Sequence, residues 1–421
     1  MSHISLRSYM TLRWHTLQTT SLTIIAAGML GLNAPVSAQT SQTVTPQMTS
    51  VVINGFTPRA KPAPLAQFRP QAQSSRTRLD YSLLDEALDN SVLRFGASTR
   101  RHLGRPQGST GTRFIRGHRS PYRLEGSRVS FSFLNEEYRQ ALIDYRADLE
   151  RIGNQIDLVN MSRNEQLAYW LNLHNVTVIE QIALNYPVRR PSKMKVNGVE
   201  LHDAKLLNIK GVPLSLRDIR ERIVFPNWSD PNTIYGFFYG DIGSPALQDY
   251  AYKASNVKAT LDLQGSEFVN ALRGFNETSK AREISRLYAE AQPFYFPNWD
   301  SDLNAHLYKH AGEEVRVELA SGKPFKVDKY DDVIADLMGG DRPRVATGNI
   351  QDVYGQPVDG FELPPEVARL IRELAQKRQV LRRRGLLTRG TVVIEDIETP
   401  STSDYDPYVD PQSETYVPPN Q

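Results

Sequence analysis

The chain of 421 residues contains no cysteine. That excludes disulfides, thiolate metal sites and a thiol nucleophile. It also lacks an excess of either charge. Fifty Lys and Arg face 47 Asp and Glu, a formal net charge of +3. Residues 1–38 hold Arg7 and Arg13 and no acid, so the remainder carries 48 − 47 = +1. Nucleic acid as the main partner requires a clear surplus of Lys and Arg, and a near-neutral chain argues against it. No Gly-x-Ser-x-Gly elbow occurs, so the commonest hydrolase nucleophile turn is missing. No internal repeat is present.

What is present begins with a leader. The apolar stretch Leu22–Leu32 is too short to span a bilayer. It follows the two arginines and ends in Val36-Ser37-Ala38, small residues of the kind a signal peptidase reads. This pattern predicts a secretory signal peptide over 1–38, cleaved after Ala38. The mature protein is then exported from a bacterial cell to the periplasm or medium, with no transmembrane segment after cleavage. Residues 39–78 are rich in Gln, Ser, Thr, Pro and Ala without apolar periodicity and read as a flexible linker.

An ordered domain is expected over 79–340. Residues 80–95 have helical spacing, and Tyr138, Leu142, Tyr145 and Leu149 form one helical stripe. Ser162 followed by Glu165 reads as a capping box. The helix behind it is apolar on most sides, which predicts a place at the centre of the core. Asn197-Gly198 predicts a hairpin. Ser215, with Asp218 three residues on, predicts another helix start. Residues 232–240 read as a buried strand, 247–275 as helix with breaks at Asn256 and Gly265, and 282–311 as more helix. Residues 315–329 read as two strands, and 332–340 as a short helix. An extension over 341–394 includes a basic helix at 364–384. The acidic, Pro- and Tyr-rich end, 395–421, is expected to be disordered. The fold class is therefore α+β: a helix-rich single domain with a small β-sheet, a disordered N-terminal linker and a C-terminal tail.

Three patches, "SRNEQLAYWLNLHNVTVIEQIALNYP" (162–187), "GVPLSLRDIRERIV" (211–224) and "DPNTIYGFFYGDIGSPALQDYAY" (230–252), stand in an order that resembles domain-of-unknown-function family 547 over about residues 80–315. Trp170, Asn172, Asn175, Asp218, Gly240 and the Ser244-Pro245-Ala246 turn match the family pattern. His174 stands where Tyr is usual, and Arg220-Glu221 where the family has Glu-His. Ile234 occupies a common His position and Tyr239 a common Cys position. The resemblance thus implies a retained framework from which the Cys and His groups are missing, and it leans away from an enzyme.

Several side chains remain candidates. Asn172 and Asn175 share a helix face, and buried amides need partners. They either satisfy a nearby turn, such as Gly240 to Ser244, or line a binding site with Trp170 and Tyr239. Ser244 reads first as the N-cap of a helix with Pro245 at its first position. With His174 and Asp241 it forms the weaker catalytic candidate. His306 and His310 lie four apart, but Leu307 takes the place of the Glu that metal helices usually carry beside the first His, so no metal site is expected. No cofactor is expected. The reading favoured is a non-catalytic or divergent domain binding a peptide or cell-envelope component. The alternatives are a hydrolase using Ser244 and an envelope scaffold acting through the basic helix.

Overall fold

Ser162 caps the helix around which the protein is built. The computed structural model describes residues 59–71, 75–104, 117–327, 330–342 and 364–386. The expected leader, most of the linker, the rest of the extension after the basic helix and the acidic end lie outside the described residues. The chain divides into two units, 1–377 and 378–421. In the second, the described part is the last turns of the basic helix and the turn after it.

Ten α-helices occur among the described residues: α1 (Ser82–Ser91), α2 (Glu136–Gln155), α3 (Arg163–Leu184), α4 (Leu216–Asp218), α5 (Phe225–Asn227), α6 (Val257–Val269), α7 (Arg286–Tyr295), α8 (Trp299–His310), α9 (Glu313–Leu319) and α10 (Pro365–Arg383). A π-helical stretch, Ile219–Val224, joins α4 to α5. The strands are short and fall into several small sheets rather than one. Antiparallel pairs are β1 (Val92–Arg94) with β2 (Ser127–Val129), β3 (Lys195–Val196) with β4 (Val199–Glu200), and β5 (Lys205–Ile209) with β6 (Val212–Ser215). In the last sheet, β8 (Arg282–Ile284) lies between antiparallel β7 (Phe275–Glu277) and parallel β9 (Phe325–Val327). The fold class is α+β and helix-rich.

Every residue of α3 from Glu165 to Glu180 is buried, as its all-round apolar sequence predicts. The Ser162 hydroxyl accepts from Glu165 N at 3.3 Å. Glu165 does not return the bond as a capping box would; its carboxylate takes Leu79 N at 2.9 Å. Helix α2 packs along α3 at close range. A Cβ on Gly153 would collide with the Tyr169 hydroxyl, which donates to Leu149 O at 3.0 Å. The Asn197-Gly198 hairpin forms, with both residues at positive φ. Ser215 and Asp218 make a full capping box.

Four expected elements differ. Pro231–Gly236 is a buried 3-10 helix, not a strand. Asp230 caps it through Asn232 N, and Pro231 takes its first position, a start signal the aromatic run overshadowed. Residues 245–252 are not helical. Side chains from elsewhere take their backbone groups instead: Leu247 N donates to Ser127 Oγ at 2.9 Å and Ala251 N to Asp85 Oδ1 at 2.7 Å, while Ala246 O accepts from Gln264 Nε2 at 2.8 Å. Helix α6 begins after Asn256 and runs through Gly265 unbroken. The two strands expected over 315–329 are α9 and the single strand β9, and 332–340 holds bridges and turns. That last segment pairs with the chain at 240–243, with Ile242 N on Val333 O at 2.8 Å and Ala335 N on Gly240 O at 2.9 Å.

Candidate functional site

Arg220 stands on the π-helical stretch and points into the interior, where it is 1% exposed. A buried guanidinium requires acceptors for its donors. Its Nε donates to Glu290 Oε1 at 2.9 Å, across from α7. Its Nη1 donates to His174 Nε2 at 3.0 Å and lies 3.5 Å from His202 Nδ1. Its plane covers the Tyr239 ring at 4.4 Å. Tyr239 closes the circle, its hydroxyl donating to Glu290 Oε1 at 3.2 Å. Beside this group, Arg217 donates to Glu221 at 3.1 Å and forks onto Asp203 at 2.7 and 3.2 Å.

The guanidinium has no acceptor to offer, so the imidazole nitrogens facing it carry no proton. His174 therefore bears its proton on Nδ1 and donates to Asn175 Oδ1 at 3.0 Å. The same oxygen accepts from Phe238 N at 2.9 Å, while Asn175 Nδ2 donates to Gly236 O at 2.9 Å. A continuous relay thus runs from the 236–238 backbone through Asn175, His174 and Arg220 to Glu290. At Glu290, whose side chain is 19% exposed, it reaches solvent. Burial, and then the Arg220 charge, hold both imidazoles well below the ordinary His range. Burial pushes the Glu290 carboxyl up, but Arg220 and Arg217 outweigh it and keep the group below its ordinary value. Glu221 is raised, by burial and then by Glu290. The Arg220 guanidinium and the Asn175 amide fix the orientation of the His174 ring.

Asn172 clamps a second piece of backbone. It donates to Tyr252 O at 2.8 Å and accepts from Tyr252 N at 3.0 Å. Both asparagines satisfy main chain, at 252 and 236–238 rather than at 240–244. Trp170 is fully buried between Phe68 and Tyr169. Ser244 caps no helix; its hydroxyl donates to Asp241 O at 2.7 Å within the turn. The Asp241 carboxyl accepts from Tyr330 Oη at 2.5 Å, and its second oxygen is buried with no hydrogen-bond partner among the described residues. Burial raises it to about 7, against the pull of the Tyr330 hydrogen bond and Arg286. The hydrogen bonds of Ser244, His174 and Asp241 lead to different partners and do not join the three into a relay. His306 bonds to the Tyr235 hydroxyl at 2.7 Å and His310 to Asn232 at 2.8 Å, both serving the 3-10 helix. Among the described residues no group of three His, Asp or Glu is placed to hold a metal ion.

The matched chain segment is narrower than this cluster. Residues 158–269 match the family model DUF547, described as a protein of unknown function. No curated protein matches the chain, and no solved structure does. The DUF547 segment runs from before α3 to the end of α6. It contains His174, His202, Arg217, Arg220, Glu221 and Tyr239; Glu290 lies beyond it, on α7. Sequence reasoning missed His202, Arg217 and Glu290. For Glu290 there was no local signal, since its partner lies 70 positions away. For Arg217 and Arg220 a signal existed, two arginines in the turn after a capping box, one of them at a position where the family pattern carries an acid.

Proposed function

We propose that this is an exported binding domain without catalytic activity, whose ligand is a peptide or a cell-envelope component. The observation that carries the reading is the filling of the positions where the resemblance implies reactive groups. Tyr239, Ile234 and Glu221 occupy them, all three are buried, and Tyr239 is held by Arg220 and Glu290. Ser244 has its hydroxyl on backbone carbonyls and, among the described residues, makes no hydrogen bond to an imidazole, which argues against an activated nucleophile.

The test has two arms. Purified protein is incubated with isolated peptidoglycan and with envelope membranes, and retention is measured. It is also incubated with peptide and ester substrates. Retention without turnover is the expected result. Turnover that disappears in Ser244→Ala would overturn the reading in favour of a hydrolase. Export is checked by sequencing the N-terminus of protein recovered outside the cytoplasm, which should begin at Gln39.

A further inference from the structure

We propose that a cation-lined cavity beside the start of α3 binds a phosphoryl group on the envelope ligand; the inference rests on the binding-domain reading and names the chemistry recognised. The cavity has a volume of 520 Å³, in the range that holds small molecules. Arg78, Arg163 and Lys258 line it, and no carboxylate among the described residues does. These cations come from three separate parts of the chain, the segment before α1, the first turn of α3 and the first turn of α6. In a chain of nearly balanced charge, three cations around one hollow concentrate positive potential there.

Two of the three are held in place. Arg163 stacks over Trp228 at 5.5 Å and donates to Asn227 O. Arg78 donates to Ser75 O and Thr77 O, each at 2.8 Å. Both arginines have further guanidinium nitrogens beyond those bonds. Glu165 lies 3.8 Å from Arg78, but one of its oxygens is bonded to Leu79 N and its side chain is 2% exposed, so it does not occupy the hollow. The third cation, Lys258, is exposed, and its ammonium has no partner among the described residues. The hydroxyls of Ser75 and Ser255 add neutral donors. Because Glu165 offsets the Arg78 charge at 3.8 Å, two net positive charges face the hollow, and a dianion with three terminal oxygens matches them. A monocarboxylate, with two oxygens and one charge, would leave cations unpaired. The volume exceeds that of a bare phosphate, which points to a phosphomonoester on an organic stem. Such a group could come from a lipid headgroup or from a soluble phosphorylated sugar or polyol.

The experiment is calorimetric titration of the purified chain with glycerol phosphate and with inorganic phosphate at constant ionic strength. Acetate is the control, and Lys258→Glu and Lys258→Gln are the variants. The Lys258 ammonium is exposed and has no partner among the described residues, so both variants should unfold at the wild-type temperature when no ligand is present. Saturable binding of glycerol phosphate is expected, weakened about tenfold or more in Lys258→Glu and less in Lys258→Gln. No saturation with either phosphate, equal affinity in wild type and Lys258→Glu, or equal binding of acetate would overturn the inference. Vesicles of phosphatidic acid against phosphatidylcholine separate the sources. Retention on phosphatidic acid stronger than the glycerol phosphate affinity explains assigns a lipid, and retention on neither vesicle with glycerol phosphate bound assigns a soluble ester. Failure of phosphate binding with peptidoglycan retention intact removes this inference alone. Failure of envelope retention with phosphate binding intact removes the general reading alone.

Discussion

At the scale of single residues, Arg220 decides the character of the interior. A buried cation is tolerated only where partners offset its desolvation. Here Glu290, His174 and the face of Tyr239 do so together. Removing one partner of such a group costs more than the group contributes, because the others stay buried and unpaired. Arg220→Ala is therefore expected to lower stability by about 3–5 kcal/mol in urea unfolding. Arg220→Met fills the volume that Arg220→Ala leaves as a cavity and should cost less. A variant that unfolds at the wild-type urea concentration would show the network to be energetically idle. Asn172 and Asn175 illustrate a related economy: each side-chain amide supplies one donor and one acceptor, the pair that a neighbouring strand would otherwise provide.

At the scale of elements, local signals held where the backbone satisfies itself. The Asn197-Gly198 hairpin, the start at Ser215 and the stripe of α2 formed as their residues predict; the helix also starts at Ser162, but with Glu165 turned to Leu79 N instead of closing the box. The Ser215 box should be measurable. Ser215→Ala removes one cap acceptor and should cost about 1 kcal/mol. Asp218→Ala should cost more, because Asp218 also accepts from Ser215 N at 2.8 Å and pairs with Lys205. Denaturant midpoints of the two variants rank them, and the reverse order would contradict this account. Local signals failed between 230 and 256. There the main chain bonds to Ser127, Asp85, Asn172, Asn175 and Gln264 instead of to itself. The opening of α10 rests on tertiary contact as well: Leu370 and Leu374 pack with Phe95 and Leu124, and Lys377 donates to Leu124 O at 2.6 Å.

At the scale of the whole molecule, buried histidines set the response to acid. His118, His174, His202, His306 and His310 are all held below the ordinary His value, with burial as the largest cause. Each takes up a proton on unfolding once pH falls below about 6.5, so the unfolded state binds more protons and stability drops. Asp241 acts in the opposite sense. Raised to about 7, it is protonated in the folded state where the unfolded chain has lost the proton, and it costs stability as pH rises from about 4 to 7. Burial also raises Glu180, Glu221, Glu318 and Asp336, which act in the same sense as Asp241 but nearer the ordinary carboxyl range; the five histidines act from about 6.5 downward, so the melting temperature should fall between pH 7 and pH 5. Asp241→Asn should stabilise at pH 8, lose that gain near pH 4, and steepen the acid decline. Melting curves across this range check both; a flat profile would sink the account. The sequence by itself determined the helix-rich α+β class, the central helix, the hairpin, the caps and the absence of thiol chemistry, because those follow from spacing, capping and composition within a few residues. Only the tertiary structure decided that Arg220 meets His174, His202 and Glu290, that Ser244 closes a turn instead of starting a helix, and that Arg78, Arg163 and Lys258 share one hollow. Each of those depends on partners tens of residues apart, brought together by burial of α3, and nothing in the local pattern of either partner announces the other.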